Sequence, residues 1–199
     1  MEEDLYRTIA APSEGLFKSK GSRFLSFSYP VENADAVKNH IHLLKTKYHD
    51  ARHHCYAYVI GVKADQFRAN DDREPSGTAG KPILGQIHSF NLTNIMVAVV
   101  RYFGGTLLGT SGLIEAYKSA ANDVLLKSAI IEKTENKSYQ IHFEYAMLNE
   151  LLRIIREEKI TVLSKEFMQS GSIEVAVRLT KARIFEEKIN SIKGISITD

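Results

Sequence analysis

Six consecutive apolar residues, Ile95-Met96-Val97-Ala98-Val99-Val100, sit inside the most hydrophobic stretch of the chain, residues 93–103. A run this short and uninterrupted suits a central strand covered on both faces. It falls far short of the roughly 20 apolar residues a membrane-spanning helix needs. Strands are expected upstream over 5–9, 15–20 and 22–29, separated by the turn residues Pro12, Ser13 and Gly21. In the third, Phe24, Ser26 and Ser28 alternate with Leu25, Phe27 and Tyr29, the period of a half-buried strand. Asn33 is placed to cap a helix whose apolar stripe is Val37, Ile41, Leu44 and Tyr48. A strand over 54–62 comes next, then a polar loop. A short helix lies within 79–90, starting near Pro82, and a longer one spans 110–127.

Beyond residue 132 the character changes. Tyr139, Ile141, Phe143 and Tyr145 alternate with polar residues, and Leu148, Leu151, Leu152 and Ile155 mark a helix. Strands over 160–167 and 173–179 are hinged at Ser170 and Gly171. Thr180 is placed to cap a helix with stripe Phe185, Ile189 and Ile192, ended by Gly194 before a strand over 195–197. The order β-α-β-β-α-β is the ferredoxin-like split arrangement. A polar linker at 132–137 divides the 199 residues into domains 1–132 and 137–199. The fold class is α+β.

Composition excludes several classes. At 44% hydrophobic and 25% charged the chain is globular rather than disordered. The formal charge is +2, split as 15 basic and 14 acidic residues up to Glu132 and 11 and 10 after it, so neither half has a bulk basic excess. The single Cys55 excludes a disulfide framework and a cysteine zinc box. Residues 1–10 are acidic and lack the order of a signal peptide, so the cytoplasm is the expected compartment, with no membrane partner.

Two glycine-rich turns are the expected working surface. The first, residues 74–80, comes after Asp71, Asp72 and Arg73. Its three nearby carboxylates, Asp71, Asp72 and Glu74, repel one another without a positive partner. Ser76, Gly77, Thr78 and Gly80 then let backbone N–H groups converge on an anion, with Lys81 beside them. The absence of a glycine at the required spacing and Pro82 after Lys81 exclude a Walker loop. The second turn, residues 104–112, leaves the apolar strand and opens a helix, where amides and dipole favour a negative group. Gly104, Gly105, Gly109 and Gly112 either cradle phosphate or only permit close packing and positive φ, with Ser111 as a cap. Arg101 and Tyr102 precede this turn, and Arg52 stands upstream of the 54–62 strand. All four of Arg52, Lys81, Arg101 and Tyr102 are candidate contacts, with further help from the exposed face of the C-terminal sheet.

His53 and His54 point to opposite faces of a strand and make a poor chelating pair, although one could join Asp71, Asp72 or Glu74 around a metal. His54 is kept as a candidate contact. Nothing local marks Cys55 as a nucleophile, and His40, His42, His88 and His142 show no ligand spacing. No catalytic residue, metal or cofactor is assigned.

Taken together, His54-Cys55-Tyr56-Ala57-Tyr58, Asp71-Asp72 with Glu74-Pro75-Ser76-Gly77-Thr78-Ala79-Gly80, Val99-Val100-Arg101-Tyr102-Phe103-Gly104-Gly105, Leu108-Gly109 and Gly112-Leu113-Ile114-Glu115-Ala116-Tyr117 resemble the IMPACT/YigZ family in its bacterial two-domain form. The resemblance covers about residues 1–130. It implies an N-terminal domain of the ribosomal protein S5 domain 2-like type, also seen in domain IV of the translocation elongation factor, and a small ferredoxin-like C-terminal domain. Eukaryotic relatives add an interaction domain and restrain a stress kinase that regulates translation initiation, a role not expected of a chain that begins with the shared domain. The family pattern has glycine between the second aspartate and the glutamate, where this chain has Arg73, a charge expected to offset the carboxylates. The resemblance implies a non-enzymatic binding protein near translation, contacting RNA, the ribosome or a protein, with an anion at the glycine-rich turns. The competing expectation is a nucleotide- or metal-binding enzyme using Asp71, Asp72, Glu74 and the 109–112 loop.

Overall fold

The computed structural model describes residues 4–167 and 171–198. It divides into two compact units. One is Tyr6–Lys133, and the other combines Met1–Leu5 with Thr134–Asp199.

The larger unit is built on a five-stranded antiparallel sheet. Its strands are β2 (Ser13–Ser19), β3 (Ser22–Pro30), β4 (His53–Ile60), β5 (Gln66–Asn70) and β6 (Ile95–Tyr102), in the order β2-β3-β6-β4-β5. The apolar run is therefore the central strand, and every residue from Ile95 to Arg101 is buried. Helix α1 (Ala34–Lys47) packs on one face through Val37 and Leu44, against Phe27, Met96, Ala98 and Val100. Helices α2 (Gly80–Ser89) and α3 (Gly109–Lys127) cover the other, against Phe24, Cys55, Val97 and Val99. Asn33 caps α1, its side chain accepting from the Ala36 amide at 2.9 Å. Strands β1 (Leu5–Ile9) and β7 (Ile130–Thr134) form a separate ribbon.

The structure corrects several expectations. Strand β3 is buried on both faces, because α3 lies over Ser26 and Ser28; the Ser28 hydroxyl reaches that of Ser128 at 2.9 Å. Small side chains under a helix read like an outward polar face. Strand β5 falls within the expected polar loop: it is a mostly exposed edge strand without alternation. Most of the expected linker is strand, since β7 ends at Thr134 and β8 (Asn136–Phe143) begins two residues later.

The smaller unit continues with α4 (Leu148–Glu157), β9 (Thr161–Phe167), β10 (Gly171–Arg178), α5 (Leu179–Asn190) and β11 (Ile195–Thr198). A 3-10 turn at Tyr145–Met147 precedes α4 and takes up Tyr145, which the alternation assigns to the strand. The sheet order β11-β8-β10-β9 is fully antiparallel and matches the ferredoxin-like expectation. Its core gathers Tyr139, Ile141 and Phe143 with Leu151, Ile154, Phe185 and Ile189. Ser170, half of the expected hinge, lies outside the described residues, while Gly171 opens β10. Thr180 is inside α5 rather than capping it. Asp4 takes that role, accepting from the Thr180 amide at 3.1 Å and its hydroxyl at 2.6 Å. No helix among the described residues is long and apolar enough to cross a membrane.

Candidate functional site

The first glycine-rich turn is folded around its own acids. Asp71 accepts from the amides of Gly77 (2.8 Å), Ala79 (3.0 Å) and Gly80 (2.8 Å), which closes the turn and caps α2. Burial alone would raise its pKa, but the three amides outweigh that and hold the carboxyl below its usual range. Asp72 accepts from the His54 amide at 2.7 Å, with Lys45 at 3.5 Å. Glu74, buried, takes Arg101 Nη1 at 2.7 Å and the Tyr117 hydroxyl at 2.8 Å on one oxygen, with His53 Nε2 3.9 Å away. The mutual repulsion is thus relieved by amides, Lys45 and Arg101. Arg73, expected to do this, instead donates to the carbonyl of Arg52 at 3.0 Å. Its φ of +71° is in the left-handed region that favours glycine.

The second turn is set by Gly104, where an added Cβ would fall 1.9 Å from the Gly21 carbonyl carbon. That close approach, together with the Gly104 amide on Ser22 Oγ at 3.1 Å, is a packing role. Helix α3 begins at Gly109 after Leu108 with no side-chain cap, so Ser111 lies inside the helix and does not cap it.

Register aligns Phe24, Arg101 and His53 across β3, β6 and β4, on the face covered by α2 and α3. Above that rung is a cleft of about 470 Å³ joining the two turns. Arg52, Arg73 and Arg101 line it with His53 and Glu74. Leu108 and Leu113 line it as well, and Phe103 and Leu107 stand out from its wall, 49% and 83% exposed. Gly109 and Thr110, the first residues of α3, complete it. The Arg101 guanidinium lies between the rings of Phe24 and Phe103, at 5.5 and 5.8 Å.

Of the residues singled out in sequence, the cleft gathers Arg52, Glu74, Arg101 and Gly109. Tyr102 and His54 belong to the opposite face: Tyr102 donates to Asp50 at 2.7 Å, and His54 is buried with its pKa pushed down by burial. Asp71, Asp72, Gly77, Thr78 and Gly80 serve the turn itself, Thr78 by donating to the Pro75 carbonyl at 2.7 Å. Ser76, Lys81, Gly105, Ser111 and Gly112 do not line the cleft. Sequence reasoning missed His53, Arg73, Phe103 and Leu107 as lining residues. Large apolar side chains beside or between glycines, Phe103 just before Gly104 and Leu107 between Gly105 and Gly109, were the available signal.

Cys55 is buried, donating to the Asp71 carbonyl at 3.0 Å, and burial pushes its thiol far above the ordinary range, which leaves no thiolate for nucleophilic chemistry. Among the described residues no group of three or more His, Cys, Asp or Glu is disposed to hold a metal ion.

Fold and cleft together define an α+β protein whose two glycine-rich turns border one cleft, lined by arginines and apolar side chains. A model of the Impact N-terminal domain matches residues 20–125. The chain is 33% identical over 182 residues to the IMPACT family member YigZ of Escherichia coli (strain K12), covering 90% of this chain and 89% of that one. It is 30% identical over 182 residues to the IMPACT family member YvyE of Bacillus subtilis (strain 168), covering 92% and 84%. A crystal structure of a hypothetical protein superposes with a TM-score of 0.73 at 30% identity, covering 98% of this chain and 96% of that one. The chain belongs to the IMPACT family.

Proposed function

We propose that this chain is a non-enzymatic binding protein that acts near translation, in the cytoplasm, and holds a single strand of RNA in the cleft between its two glycine-rich turns. The observation that carries this reading is the make-up of the cleft. Three arginines from separate parts of the chain line it with a half-exposed phenylalanine, and the one carboxylate among them, Glu74, is already paired with Arg101. Single-stranded RNA offers what such a site can use: phosphates for guanidinium groups and unstacked bases for a ring. Family membership supports the setting near translation. A hydrolytic or metal-dependent reaction has less support, since Asp71, Asp72 and Glu74 are each engaged within the fold.

Fluorescence anisotropy with a labelled single-stranded oligoribonucleotide tests it. Affinity is expected to fall with salt, with a log–log slope of about −0.7 per phosphate neutralised. Phe103→Ala is expected to weaken binding by about 1–3 kcal/mol, the range for one base stacked on a ring. No binding at low salt, or a Phe103→Ala variant that binds like the parent, sinks the RNA reading.

A further inference from the structure

With the cleft as the working surface, a reading on which this inference rests, one end of it is built for a particular ligand. Helix α3 is 19 residues long, and its first two, Gly109 and Thr110, line the cleft. The opening amides of α2 are taken by Asp71 and one of α1 by Asn33, whereas α3 has no side-chain cap. Free amides and the aligned peptide dipoles make such an end attractive to an anion. Independently, Arg101 lines the same cleft at 6% exposed, and its Nε–H has no hydrogen-bond partner among the described residues. Glu74 occupies Nη1, so the guanidinium edge formed by Nε and Nη2, the edge suited to bidentate pairing with an oxyanion, is not filled by that carboxylate. Buried donors left this way call for an acceptor. The half-exposed Phe103 ring lies 5.8 Å from this group.

Charge narrows the class. The three arginines Arg52, Arg73 and Arg101 against the carboxylate of Glu74 leave two positive charges in the cleft. A phosphodiester carries one negative charge, whereas a phosphomonoester carries about −1.5 to −2 at pH 7 and three acceptor oxygens. A cleft of about 470 Å³ also has room for one nucleotide at a strand's end rather than for a long stretch of the strand. We infer that the cleft receives a phosphomonoester, its oxygens on the first-turn amides of α3 and the open edge of Arg101, and its organic body against Phe103 and Leu107. A free mononucleotide and the 5′-phosphorylated end of an RNA share this chemistry.

The test is amide NMR on the full chain, titrated with AMP and with short 5′-phosphorylated and 5′-hydroxyl oligoribonucleotides, for wild type and Thr110→Asp. Thr110 is exposed in the first turn of α3, where an acidic side chain suits the helix dipole, so the variant keeps its melting temperature while repelling an anion. With AMP or the phosphorylated strand, shifts are expected at the amides of residues 109–112 and at Arg101 Nε–H. The Thr110→Asp variant is expected to bind at least about tenfold more weakly, equivalent to about 1.4 kcal/mol. AMP binding as tightly as the strand identifies a free nucleotide, and a tighter strand identifies an RNA end; both support the subsite. Unmoved amides with both phosphorylated probes, or equal affinity for Thr110→Asp, overturn it. If the 5′-hydroxyl strand binds both proteins as well as the phosphorylated one does, the subsite falls and the RNA reading survives. If AMP shifts those amides and no strand binds, the subsite stands and the RNA reading falls.

Discussion

Glu74 shows at the scale of one residue how a candidate ligand becomes a structural part. Its buried carboxylate takes Arg101 and Tyr117 on the same oxygen, and Cys55 Sγ lies 3.3 Å from the Tyr117 hydroxyl. Removing the charge leaves Arg101 buried without its partner, which typically costs about 3–5 kcal/mol. Glu74→Gln is therefore expected to destabilise by about that much in urea unfolding. Tyr117→Phe removes a hydrogen bond to a charged acceptor and should cost about 1.5–3 kcal/mol. Because both partners meet at one oxygen, the double variant should lose less than the sum. Additive losses would mean that the two contacts do not share that carboxylate. The sequence marked Glu74 as a residue needing a positive neighbour, through the clustering of three acids. It could not say which, since Arg101 and Tyr117 lie 27 and 43 positions away.

At the scale of elements, periodicity identified what packing makes regular. The central strand β6, the capped helix α1 and the strand–helix order of the smaller unit all carry strong apolar patterns. Elements without such a face were lost: β5 because it is an exposed edge, and β7 because its polar side chains look like a linker. The cap of α5 was misassigned because its true partner is Asp4, at the far end of the chain. That contact makes a pH prediction. The Arg178 guanidinium beside Asp4, at 2.9 Å, with help from Thr180, holds the carboxyl well below the usual carboxylate range. Asp4 therefore stays ionised in the fold at acidities where the unfolded chain is protonated. Its contribution is full above the unfolded value of about 3.9 and is lost as pH falls from there through the lower folded value. Asp4→Asn should then be clearly less stable than the parent at pH 7, with the gap narrowing in urea midpoints measured toward pH 3. A gap of constant size would show that the ion pair is not its source.

For the molecule as a whole, the address of the candidate site was readable because glycines, a buried strand and a helix start are local features. The ligand was not, because the cleft draws side chains from positions 52 to 113. The sequence also offered the exposed face of the C-terminal sheet as a second surface, and the strand register defines that face. Tyr139, Ile141 and Phe143 point into the core, so Ser138, Gln140 and His142 occupy the other side of β8. Opposite them on β10 are Ala176, Glu174 and Ser172, and on β11 Thr198 and Ser196 pair with Gln140 and His142. Arg178, next in that row, is held by Asp4. α/β sheets that bind single-stranded RNA do so with aromatic rings on the open face and with basic side chains. The one ring these positions on β8, β10 and β11 provide is the imidazole of His142, and Glu174 adds a negative charge. A Gln140→Ala, His142→Ala double variant should therefore bind a labelled RNA strand within about twofold of the parent, well inside the 1–3 kcal/mol range expected for a lost base stack at Phe103. Loss of binding by tenfold or more in that variant would move the working surface to the smaller unit, and the cleft between the glycine-rich turns would need another ligand.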